Sequence, residues 1–278
     1  MDSRLFGEQL QVGRKAFLSA LRRLRPAAFA VLCSVLPVPA QPEAEAPSGP
    51  QLLADVVARL PREPLQVQGD MIVRRQRGVV ERSFKFDMSL QWGAQPAVAI
   101  YTIRDAFGNP LEQMTVRRAS GQPPAFEYAA GNPPTAAVLP GLFDAVQETD
   151  ISWTDLALSF LWWPGGSVIA TNEVRGRRCY VVEVPVPAGL DRPAGAAPAA
   201  GGRAATPYRS VRLWVDAEIR MLLQAEGLDE EGRTLRRLWV KSFKKVNDTW
   251  MIKDLEVQQV DTGHRTKLVI LDVNGTST

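Results

Sequence analysis

Apolar and polar residues alternate along most of the chain from Leu65 onward, as strands with one buried and one wet face require. The run ERSFKFDMSLQW is the cleanest case. Phe84, Phe86, Met88, Leu90 and Trp92 share one face, and Ser83, Lys85, Asp87, Ser89 and Gln91 share the other. Leu65 to Val73 before it, and PAVAIYTIRD and LEQMTVRRA after it, extend the sheet, with PAFEYAA as a weaker strand. SVIATNEV and CYVVEVPVP resume it later. From Tyr208 to Val273 the pattern predicts four or five long strands in succession, joined by polar turns such as Asp229-Glu230-Glu231-Gly232 and Asp261-Thr262-Gly263. A meander of this length has to curl, pair its edges or be covered.

Two stretches follow a different period. In QLLADVVARL, residues Leu52, Leu53, Val56, Val57 and Leu60 fall on one helical face, and Pro61 ends the segment. A single amphipathic helix before an all-β body has to lie against the sheet. Between Thr135 and Gly166 the alternation stops, and TAAVLPGLFDAVQE and DISWTDLALSFLWWPGG read as helices. Ser152 followed by Asp155 makes a capping box with Asp in the usual Glu position, and Pro164-Gly165-Gly166 stops the second helix. Apolar side chains surround that helix nearly completely, so it needs cover on several sides.

The 278 residues suffice for one large all-β domain. Residues 1–40 read as a signal peptide. Arg22-Arg23-Leu24-Arg25 precedes the apolar stretch Pro26 to Leu36, and Ala40 stands at the cut. The apolar stretch is shorter than the roughly 20 residues of a membrane span. Bulky Leu32 sits where a lipid anchor at Cys33 would want a small residue. Residues 41–50 form a Pro/Ala/Glu tether, residues 51–274 a single β domain, and residues 188–206 a flexible Ala/Gly/Pro loop inserted in it. Six basic residues stand against two acidic ones within 1–40. The whole chain carries +3, so the body is left at −1 and gives no charge reason to expect a nucleic-acid partner. Cys179 is the one cysteine left after cleavage. It makes no internal disulfide, and its strand-like context predicts a buried, inert thiol.

Candidate chemistry is sparse. His264 is the sole histidine, so with one mature cysteine no His/Cys metal cluster forms. Ser159 and Ser167 lack a nucleophile-elbow context, and the glycine pairs 165–166 and 201–202 lack the Lys-Ser/Thr of a phosphate loop. No catalytic residue, metal or cofactor is expected. Among the late basic residues, Arg236, Arg237 and Lys241 are candidate contacts for anionic headgroups or an acidic partner, with the wet face of a sheet as the alternative. The apolar residues nominate a cavity. Phe84, Phe86, Met88, Leu90 and Trp92 would form its strand wall, and Leu158, Phe160, Leu161 and Trp162 its helical wall. The same residues would equally make a filled core.

Four segments carry a family resemblance: WTDLALSFLWW (Trp153–Trp163), RGRRCYVVEVP (Arg175–Pro185), YRSVRLWVD (Tyr208–Asp216) and TGHRTKLVILDV (Thr262–Val273). In this order, after a helix and long strands, the chain from Leu52 to Val273 resembles the outer membrane lipoprotein-sorting protein family, a LolA/LolB-like group. The resemblance implies a mainly β fold, an incomplete antiparallel β-barrel of about eleven strands with covering helices and an apolar cavity between them. It implies a non-catalytic periplasmic chaperone in outer membrane biogenesis and transport. Its partners would be lipid or lipoprotein acyl chains, an inner-membrane transporter and an outer-membrane acceptor. A second expectation, of a different class, is a periplasmic sensor or adaptor that binds a protein through its cleft or sheet edge.

Overall fold

The computed structural model describes residues 47–75, 78–190, 208–246 and 248–277. The expected signal peptide and most of the tether lie outside the described residues, as does the Ala/Gly/Pro insertion from residue 191 onward.

The chain builds two meanders. The first runs β1 (Leu65–Arg74), β2 (Val80–Gln91), β3 (Ala97–Arg104), β4 (Pro110–Arg118), β5 (Ala125–Ala130) and β6 (Thr135–Ala136). The second runs β7 (Ser167–Val174), β8 (Arg177–Pro185), β9 (Ser210–Asp216), β10 (Leu222–Leu228), β11 (Thr234–Val246), β12 (Thr249–Gln259) and β13 (Arg265–Val273), and β14 (Thr276–Ser277) folds back on β13. Within each meander every strand pairs with its sequence neighbour, and β1 joins β13 antiparallel, with Met71 opposite Leu268. One antiparallel sheet results, with thirteen strands on its path where the resemblance implies about eleven. It does not close: β6 and β7 are its two ends. The incomplete barrel is therefore present.

This topology dictates what covers the sheet. β6 and β7 are consecutive in sequence and lie at opposite ends of the sheet, so residues 137–166 have to cross its inner face. Leu142, Val146, Ile151, Trp153, Leu156 and Phe160 of that crossing are buried in one core with the inward strand residues.

The crossing corrects the two helices expected between Thr135 and Gly166. Only Trp153–Leu156 is α-helical (α2, below), flanked by 3-10 turns at Val146–Glu148 and Ser159–Trp162. Pro140-Gly141 interrupts the first apolar run, and an all-round apolar segment reports burial rather than period. The capping box is present: Ser152 Oγ accepts from Asp155 N–H, and Asp155 Oδ2 accepts from Ser152 N–H. Leu158 adopts a left-handed conformation (φ 46°), uncommon for a branched residue, and there α2 gives way to the second 3-10 turn.

The N-terminal helix α1 (Gly49–Ala58) forms as expected but starts two residues earlier, taking Gly49 and Pro50 from the assigned tether, with Ser48 as its N-cap. Leu52, Leu53 and Val56 are buried, and the helix packs on the Ser159–Trp162 turn and on β7. Inside the sheet, Gly69 is required by a close approach. A Cβ there would stand 2.5 Å from the Phe86 ring and 2.2 Å from the Val269 carbonyl oxygen. Its absence lets the Phe86 ring lie across β1.

Candidate functional site

A cavity of about 110 Å³ lies between the sheet and the crossing segment. β2 and the residues after it supply Phe86, Met88, Leu90 and Trp92, one alternating face. The crossing supplies Leu156, Ala157, Leu158, Leu161 and Trp162. Val67, Tyr101, Leu255, Leu268 and Ile270 complete the walls. Arg59, Arg220, Trp250 and Lys253 line it as well, and Trp250 is 47% exposed.

Seven of the nine expected cavity residues stand in this wall. Phe84 packs against the core beyond it. Phe160 is buried elsewhere, edge-on to Trp163 at 6.3 Å between ring centroids. Pattern reading missed residues that other elements bring to this wall, among them Tyr101 of β3, Arg59 after α1, Arg220 before β10, and Trp250 and Lys253 of β12. Lys253 left a signal, because it shares parity with the inward Met251, Leu255 and Val257.

Trp162 is held from outside the cavity by Arg118, whose guanidinium carbon sits 4.0 Å from the ring centroid. Burial pushes the Arg118 pKa down. Burial likewise pushes the Tyr101 phenol up to about 12, so it stays neutral. Trp92 Nε1 is a buried donor with no hydrogen-bond partner among the described residues, a polar atom in an otherwise apolar wall.

The crossing is fastened to the sheet by a buried polar group. Asp155 Oδ2, besides closing the capping box, lies 2.9 Å from Arg236 Nη1 on β11, and that same nitrogen donates to Tyr208 Oη at 2.9 Å. Thr266 on β13 donates to Asp150 Oδ2 at 2.8 Å. Trp153 meets Tyr128 of β5 edge-on at 6.0 Å. For Arg236, burial alone would lower the pKa; Asp155, Tyr208 and Asp150 outweigh it and the net direction is upward.

These contacts correct the expected headgroup role of Arg236. It is 4% exposed and faces inward, because it shares parity with Leu238 and Val240. Arg237 and Lys241 do lie outside, and each already has an acid: Glu226 for Arg237, and Glu256 at 3.0 Å for Lys241.

Reactive groups stand apart from the cavity. Cys179 is fully buried in a small apolar cluster with Val181, Trp214 and Leu223, and burial pushes its thiol up to about 11. His264 is partly buried beside the start of β13. Among the described residues no group of three or more His, Cys, Asp and Glu is placed to hold a metal.

Comparison with known proteins fits this architecture. A family model described as an uncharacterized protein matches residues 142–277, just under half of the chain. No curated protein matches it. Among solved structures, a DUF1329 family protein from Desulfovibrio piger superposes with a TM-score of 0.62 at 18% identity, covering 82% of this chain and 93% of its own. A domain named for outer membrane lipoprotein sorting, from Vibrio parahaemolyticus, gives 0.61 at 12% identity, covering 81% and 91%. A LolA superfamily protein from Nitrosomonas europaea gives 0.59 at 14% identity, covering 84% and 96%. At these identities the likeness is one of architecture, and in architecture the chain is LolA-like, as its sequence resemblance implies.

Proposed function

We propose that the protein is a periplasmic, non-catalytic binding protein or chaperone for acyl chains, of the kind borne by lipids and lipoproteins. The observation that carries this reading is the cavity: apolar side chains of the sheet and of the crossing segment face each other across open space. Sequestering a chain there gains roughly 0.8 kcal/mol per CH2 without any reactive residue. The lipoprotein-sorting and LolA superfamily names of two structural relatives support the same reading. So does the signal peptide expected in residues 1–40, which would deliver the body to the periplasm. An inner-membrane transporter and an outer-membrane acceptor would then be its donor and recipient.

The cavity volume sets a condition. At about 110 Å³ it is smaller than the roughly 150 Å³ engineered cavity that admits benzene. A long chain therefore enters by displacing wall side chains, Trp162 and Trp250 first among them. Lipid extraction and native mass spectrometry of the exported protein test the proposal. Co-purified acyl chains, or saturable binding of a fluorescent fatty acid, are the expected result; a clean protein that ignores the probe sinks it.

The adaptor reading draws on β7, an end strand of eight residues, mostly exposed, with Ile169 48% exposed. Its outer side has no paired strand among the described residues, so an extended peptide could add there. Recovery of one stoichiometric protein without lipid would favour it.

A further inference from the structure

We propose that the cavity takes a single-chain amphiphile with a carboxylate head, and that Lys253, with Arg59 and Arg220, receives the head. The inference rests on the acyl-chain reading above and specifies its ligand.

Three cations and no acid line the cavity. Lys253 is the informative one. It stands on the inward parity of β12 between Met251 and Leu255, and it is half-buried. The ladder with β11 is irregular there: Ser242 opposes Asp254 and Phe243 opposes Ile252, so Lys253 has no residue across from it. Several other cations of the late strands have acids, Arg237 with Glu226, Lys241 with Glu256, Lys245 with Asp248 and Lys267 with Asp254; Lys244 of β11 has none among the described residues, but it does not line the cavity. Among the described residues Lys253 has no ion pair. A half-buried ammonium beside an apolar hollow is costly unless an anion meets it. Arg59 is exposed and likewise unpaired among the described residues, whereas Arg220 already shares Asp55 at 3.5 Å.

The occupant follows from charge and width. A cavity of this volume favours one chain over two. Lys253 is a compact point charge and balances a monoanion by itself. A phosphate head would want several free forked arginines, and of the two here Arg220 is already shared with Asp55.

Isothermal titration of the full chain with dodecanoate, dodecyl phosphate and dodecanol, below their micelle concentrations, tests this. Dodecanoate should bind at least about tenfold tighter than dodecanol, a typical return for one charged contact. Lys253→Gln should remove that preference while leaving dodecanol affinity unchanged, which also shows that the variant is folded, and Lys253→Arg should restore it. Equal binding of acid and alcohol overturns the head assignment and leaves the acyl-chain reading standing. Tighter binding of the phosphate than of dodecanoate overturns the carboxylate assignment. A preference untouched in Lys253→Gln removes Lys253 from the site and leaves an ammonium that merely reaches water along its stem. Binding of none of the three defeats both this inference and the reading beneath it.

Discussion

Asp155 binds Arg236 at 2.9 Å through the same carboxylate oxygen that accepts the Ser152 N–H in the capping box. One atom thus caps the start of α2 and ties the crossing segment to β11. Asp155→Ala should cost about 3–5 kcal/mol, since it strands a buried guanidinium. Arg236→Met should cost clearly less, because Asp155 keeps its bonds to Ser152. The double variant should be less destabilised than the sum of the two. Urea unfolding of the three variants measures this; strict additivity would mean that the pair is not coupled.

Filling the hollow should block it. Ala157 lines the cavity from the crossing segment. Ala157→Leu adds three carbons to that wall. Acyl-probe affinity should fall about tenfold or more, with stability changed by no more than about 1–3 kcal/mol of overpacking. Unchanged probe affinity would place the ligand elsewhere.

Acid should act on the β9–β10 turn. Asp216 is buried, pairs with Arg177, and accepts the backbone N–H groups of Glu218 and Ile219. Burial raises its pKa, but Arg177 and the two N–H groups outweigh burial and hold it below the ordinary 3.8. A lowered native pKa stabilises the fold above 3.8, and this contribution is lost as pH falls through the native value. Asp216→Asn should therefore cost about 1–3 kcal/mol at pH 7, and the gap from wild type should shrink toward pH 3. A gap that is constant with pH would refute the charge argument.

The thiol of Cys179 should stay silent. With its pKa near 11 and no exposure, it is protonated at pH 8. A Cys33→Ser chain should react with a disulfide reagent only after denaturant is added. Fast reaction of the folded chain would show that the Val181–Trp214–Leu223 cluster opens readily.

Much of this was legible as parity. Phe86, Met88, Leu90 and Trp92 were placed on one face by alternation alone, and they form a cavity wall. The same rule, carried through β11, sets Arg236 with Leu238 and Val240 and removes it from the surface; the charge of the residue obscured its parity. The crossing segment was harder. Trp153 to Trp163 is apolar on every side because the sheet, β5 and α1 all touch it, so no period survives to identify its backbone. Nor does alternation along one strand reveal the β1–β13 pairing that brings Val67 and Leu268 into the same wall.

That pairing has a consequence for biogenesis. Each meander is made of local hairpins, but the seam joining them matches Val67 with Val273, nearly the whole described chain apart. The middle of the sheet is thus completed by β13, which follows every other strand of the two meanders in sequence. Until β13 emerges, both half-sheets expose an edge and the crossing segment lacks part of its floor. Such non-local closure is slow. A chain whose core is completed only when β13 joins has to keep two open half-sheets from pairing with other strands until then.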